Sequence, residues 1–153
     1  MDSSDYDGCR ILQNDERDMI VSEDDRMRKD WYVVCLMPNF IVRLTEFPCF
    51  VGRRPPTGGN CIVIDEPFVS RLQFVLEVRE EQVWYVNQSV TNPGLIDDSE
   101  AVELALDPDF VHLVCVGDLV LGIGTDVEAV YQEVLGCTPK ALLKNNYYTK
   151  RCF

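Results

Sequence analysis

Residues 49–78 read CFVGRRPPTGGNCIVIDEPFVSRLQFVLEV. Three short apolar runs, CFVGR, CIVI and FVLEV, are separated by Pro55-Pro56-Thr57-Gly58-Gly59-Asn60 and by the IDEPFV connection. Runs this short, rich in Val, Ile and Phe and bounded by Pro, Gly and Asn, are strands joined by loops. In the last run Phe74, Leu76 and Val78 fall on the face opposite Glu77 and Arg79, the alternation expected of a strand with one buried side. The loops carry arginines at both ends, although the formal net charge of the chain is -12.

The same texture extends outward from Trp31. WYVVCLM, FIVRL, VWYV, LIDD, VELAL, VHLVCV, DLVLGIG and AVYQEV are further short runs, parted by Pro38-Asn39, Glu80-Glu81, Asn92-Pro93-Gly94, Asp107-Pro108-Asp109 and Gly117-Asp118. Ten or so strands at this spacing predict an all-β sandwich or barrel with little room for helix. The only room for a helical turn is after Pro139, in a short basic segment read as a tail.

The 153 residues and 46% hydrophobic content suit one domain with a real core. Its expected bounds are 30–135, between an acidic flexible tail at 1–29 and a basic tail at 136–153 that holds four bases and no acid. Between residues 31 and 135 the only bases are Arg43, Arg53, Arg54, Arg71 and Arg79. So acidic a chain is a poor partner for nucleic acid or an anionic membrane. The acidic start resembles neither a secretory signal nor a transit peptide, and no run reaches bilayer length, so a soluble cytoplasmic protein is expected. Seven cysteines without a CxxC pair, and one histidine, leave no metal site to predict. Cys35, Cys61 and Cys115, each in an apolar run, are expected to be buried reduced thiols. His112 and Cys115 lie an odd number of residues apart and so on opposite strand faces, which argues against a catalytic pair.

The polar residues at the strand ends form an ordered set. Gly52-Arg53 closes one strand and Ser70-Arg71-Leu72-Gln73 precedes another. Thr91-Asn92 follows VWYV, with Gly94 beyond it, and Gly117-Asp118 opens LVLG. In this order, on this background, the set resembles the forkhead-associated (FHA) domain family, modules that bind phosphothreonine peptides, over roughly residues 31–134. The resemblance implies a two-sheet β-sandwich of about eleven strands with ligand loops at one end. It also implies that Arg53 and Ser70 hold the phosphate, with Arg71 supporting them, while Thr91 lines the pocket and Asn92 hydrogen-bonds the peptide backbone. The chemistry agrees: a phosphate ester offers nearly two negative charges and three acceptor oxygens, which guanidinium forks and hydroxyls satisfy.

Three departures from the family pattern stand out. Gln73 occupies the place of a histidine that braces the loops, Pro93 separates Asn92 from Gly94, and Asp97-Asp98 replaces an Asn-Gly turn, adding negative charge near the expected peptide path. The expected function is non-catalytic recognition of a threonine-phosphorylated partner in kinase-dependent assembly, with no cofactor and no catalytic residue. The alternative is a degenerate scaffold of the same fold that binds a protein without phosphate, with Arg53 and Arg71 paired to acids such as Asp65 or Glu66. The tails' opposite charges, with Thr138 and Thr149 in the basic one, also offer a route to self-association through the pocket.

Overall fold

Ten of the eleven apolar runs are strands, and the eleventh is a helix. The structure is a computed structural model that describes residues 30–56 and 60–138. In chain order the strands are β1 (Trp31–Leu36), β2 (Asn39–Leu44), β3 (Cys49–Gly52), β4 (Asn60–Val63) and β5 (Phe74–Arg79). They continue with β6 (Gln82–Asn87), β7 (Leu95–Ile96), β8 (Glu103–Ala105), β9 (His112–Val116) and β10 (Leu119–Gly124), before helix α1 (Val127–Cys137). One five-stranded sheet has the order β2-β1-β10-β9-β7 and the other β4-β3-β5-β6-β8. Every pairing is antiparallel except that of β3 with β4. The expected β-sandwich is therefore present, with ten strands in the described residues rather than about eleven.

Pleating decides what each sheet buries. Trp31, Val33 and Cys35 of β1 and Leu119, Leu121 and Ile123 of β10 point between the sheets. They meet Cys49, Val51, Phe74, Leu76 and Tyr85 of the second sheet there. The intervening Val34, Leu36 and Val120 point the other way, onto α1. Both faces of β1 and β10 are thus covered, which is why their sequences are almost unbroken apolar runs.

Helix α1 corrects the reading of AVYQEV as a strand. Asp126 caps it, its carboxylate accepting the Glu128 N–H at 3.2 Å and the Ala129 N–H at 3.3 Å. Val130 and Val134, one turn apart, are its buried pair. They sit over a glycine track on β10: a Cβ at Gly122 would lie 2.4 Å from Val134 Cγ2 and 2.7 Å from Val130 Cγ1, and one at Gly124 would lie 2.7 Å from Val130 Cγ2. Thr138 ends the helix, donating its hydroxyl to the Val134 carbonyl at 2.7 Å, and it is buried there. The segment after Pro139, read as a tail, lies outside the described residues. No described helix is long and apolar enough to cross a membrane.

Two further expectations change. Cys35 is buried and Cys115 half-buried, but Cys61 is exposed, because β4 is an edge strand that turns Ile62 inward and Cys61 outward. Burial pushes the Cys35 and Cys49 thiols up to about 11, so both stay protonated at neutral pH. On β5, Val78 is 40% exposed, because the core contact ends at Leu76. Beside it Arg79 bridges Glu77 and Glu103 and lies 5.0 Å over the Trp84 ring, a surface network on the second sheet. Hydrogen bonds from Arg79 hold the Glu103 carboxyl below the usual carboxylate range.

Two stability measurements check this packing. Gly122→Ala forces the stiff valines of α1 away from the sheet and is expected to cost about 1 to 3 kcal/mol in denaturant unfolding; an unchanged midpoint would mean that α1 does not rest on the glycine track. Tyr85 is fully buried, and its hydroxyl has no hydrogen-bond partner among the described residues. Tyr85→Phe removes that orphan and should stabilise the protein by about 1 kcal/mol, a rise in Tm of several degrees. A lower Tm would show that the hydroxyl is bonded after all.

Candidate functional site

The second sheet carries the motif residues to one end. Val51 lies opposite Phe74, and Phe74 opposite Asn87, so β3 ends, β5 begins and β6 ends on one rung. Whatever follows β3, precedes β5 or follows β6 therefore emerges together. Those segments are Arg53-Arg54, Ser70 to Gln73 and Gln88 to Asn92.

Beyond the rung the backbone stays tightly paired. The Arg53 N–H donates to the Ser70 carbonyl at 2.9 Å, the Arg54 N–H to the Arg71 carbonyl at 3.0 Å, and the Gln73 N–H to the Val51 carbonyl at 2.8 Å. Gly52 permits this: a Cβ there would lie 2.2 Å from the Arg71 carbonyl oxygen and 2.9 Å from Leu72 Cα. The glycine of the Gly-Arg pair is thus required by the close crossing of two backbones.

Two buried side chains then tie the Ser70 loop to the Asn92 loop. Gln73, 1% exposed, accepts the Ser70 N–H on Oε1 at 2.8 Å and donates from Nε2 to the Asn92 carbonyl at 2.8 Å. Glutamine therefore braces the loops where the family pattern has histidine. Ser89 makes a second tie, its Oγ accepting the Asn92 N–H at 3.0 Å and lying 2.6 Å from Ser70 Oγ. The amide of Asn92 donates to the Phe68 carbonyl. That nitrogen is thus engaged within the protein rather than held out for a peptide. With its N–H, carbonyl and side chain all bonded, Asn92 is fixed before Pro93.

Between these loops lies an open cavity of about 340 Å³. Arg53, Ser70, Arg71 and Thr91 line it, as do Gln88, Ser89 and Val90. Four of the five residues expected from the sequence thus share one cavity; Asn92 stands behind it. Gln88, Ser89 and Val90 were not foreseen, because in sequence NQSV is an ordinary turn stretch after a strand. The Asp97-Asp98 turn is absent from the lining. Both residues have left-handed φ, 51° and 66°. The Asp97 carboxylate is occupied by His112 Nδ1 at 2.7 Å and the Leu113 N–H at 2.9 Å. His112 faces this turn, while Cys115 faces α1.

Among the described residues, the charges at the cavity are unmatched. Arg43 pairs with Asp30, and Arg79 with Glu77 and Glu103, but among the described residues no carboxylate pairs with Arg53, Arg54 or Arg71. The expected alternative partners, Asp65 and Glu66, do not reach them. Arg53 is half-buried, and its Nε donates to the Val69 carbonyl at 3.0 Å, which aims the rest of the guanidinium without neutralising it.

No protein-family model and no curated protein matches the chain in sequence. Solved structures do match in shape. The Slr1951 protein from Synechocystis is 21% identical, with a TM-score of 0.51 over 63% of this chain and 96% of that one. The FHA domain of CT664 from Chlamydia trachomatis is 14% identical, with a TM-score of 0.51 over 62% of this chain and 96% of that one. EmbR from Mycobacterium tuberculosis, in complex with a low-affinity phosphopeptide, is 15% identical, with a TM-score of 0.55 over 69% of this chain and 28% of that one. Likeness of this kind, together with the two sheets, identifies the fold over 62% of the chain as that of a forkhead-associated domain.

Proposed function

We propose that the cavity binds the phosphate of a phosphothreonine in a partner protein, and that the protein is a non-catalytic module of kinase-dependent assembly. One observation carries this reading: Arg53 and Arg71, with no carboxylate partner among the described residues, line a cavity with Ser70 and Thr91 in a chain of net charge -12. In a chain this acidic, arginines with no carboxylate partner among the described residues favour an external anion as their counter-charge. Guanidinium forks meet phosphate oxygens through charge-assisted hydrogen bonds, and the two hydroxyls satisfy those that remain. Asn92 contributes to the peptide path through its side-chain oxygen, since its nitrogen is taken by Phe68. Self-association would then run through Thr149 of the basic tail, outside the described residues, because Thr138 is buried as the helix cap.

Titrating phosphothreonine, phosphoserine and unphosphorylated forms of one peptide library tests the reading. Selective capture of the phosphothreonine form is expected; equal affinity for the unphosphorylated form would establish the phosphate-independent scaffold instead. Arg53→Ala should cost about 2 to 5 kcal/mol of phosphopeptide affinity by calorimetry while the protein stays folded. A folded variant of unchanged affinity would remove Arg53 from the site.

The flanks of the ligand are a separate expectation. Outside the pocket the chain repels a negative peptide, within a screening length of about 8 Å at physiological salt. Peptides with neutral or basic flanks should bind best, and added salt should weaken a Lys-rich phosphopeptide more than an acidic one. The reverse order of salt sensitivity would reject the preference.

A further inference from the structure

We infer that Ser89 is a positioning residue of the pocket, which directs the Ser70 hydroxyl proton toward the ligand. The inference rests on the phosphate-binding reading and extends it to a residue outside the five expected from the sequence.

Ser89 is 4% exposed, so the bonding of its hydroxyl is decided inside the protein. Its oxygen accepts the Asn92 N–H at 3.0 Å and lies 2.6 Å from Ser70 Oγ. A hydroxyl has one proton to give and two lone pairs to receive with. If Ser70 donated to Ser89, the Ser89 oxygen would accept twice, and its own buried proton would have no acceptor among the described residues. A buried donor left unbonded carries a desolvation penalty that the opposite arrangement avoids. With Ser89 donating to Ser70, the Ser89 hydroxyl proton and the Asn92 N–H are both bonded. The Ser70 proton is then the one left over, on a half-buried residue beside an open cavity of about 340 Å³.

The hydrogen bonds therefore run in one direction, from the Asn92 N–H through Ser89 and Ser70 into the cavity. Each donor in such a chain polarises the next, which strengthens the last. Ser70 faces the cavity as a donor, beside guanidinium groups that can only donate. The ligand this suits is an anion whose oxygens only accept, such as a fully ionised phosphate ester, in preference to a group that carries its own proton.

A double-mutant cycle tests the coupling. One phosphothreonine peptide is titrated into the wild type, Ser89→Ala, Ser70→Ala and the double variant, with thermal melts to establish folding. Ser89→Ala should lose about 10-fold in affinity, the effect of one charge-assisted hydrogen bond misaligned. In the Ser70→Ala background the same change should lose no more than about 2-fold, because Ser89 acts through Ser70. Ser89→Thr, which keeps the hydroxyl, should stay within about 3-fold of the wild type. Equal losses in both backgrounds, no loss at all, or a folded Ser89→Thr as weak as Ser89→Ala would overturn the inference. If the alanine variant does not fold, NMR of the unaltered protein decides: the slowly exchanging hydroxyl proton should correlate with the Ser89 β-carbon, and assignment to Ser70 would reverse the direction and overturn the inference. A wild type that binds no phosphopeptide would overturn the phosphate reading and this inference together, whereas additive losses in a wild type that binds overturn this inference alone.

Discussion

The backbone of residues 71–72 crosses Gly52 so closely that no side chain fits between them. The geometry of the loop end follows from that contact. It lets the pairing of β3 with β5 continue past the sheet as bonds from Arg53 to Ser70 and from Arg54 to Arg71, so arginines from two segments emerge side by side. Those backbone bonds fix the spacing of the two segments, so the crossing at Gly52 is a packing constraint that also sets where the arginines leave the sheet.

Much of the fold was legible because pleating is a strong local signal. β6 alternates over most of its length, with Val83 and Tyr85 inward, and the turn residues between runs mark the strand ends. The failure at AVYQEV has a physical cause. Its valines, Val130 and Val134, are spaced by four, which is the helical repeat, but six residues of mixed character are too few to show a period without the Asp126 cap that precedes them. Cys61 was misread for a different reason: burial of an edge strand depends on which of its faces meets the core, and a run of four residues does not say.

The site divides in the same way. Arg53, Ser70, Arg71 and Thr91 were readable because charged and hydroxyl residues at strand ends stand out against apolar runs, and all four line the cavity. Ser89 was not, and the family pattern gave Gln73 its place as a brace but not its partners, since the two act across 19 residues of sequence, on Ser70 and on Asn92 respectively. Such a tie exists only once two loops lie side by side. Asn92 shows the converse: it was expected to hydrogen-bond a peptide, but its nitrogen goes to the Phe68 carbonyl, 24 residues away.

The brace at Gln73 has one more consequence. An amide side chain gains and loses no proton in the range where histidine does, and in this chain it links Ser70 to Asn92 from a fully buried position. The tie between these two loops is therefore made by a group that does not titrate. If the cavity takes a phosphate as proposed, whose second ionisation falls near pH 6, mild acid would act on the ligand rather than on this brace.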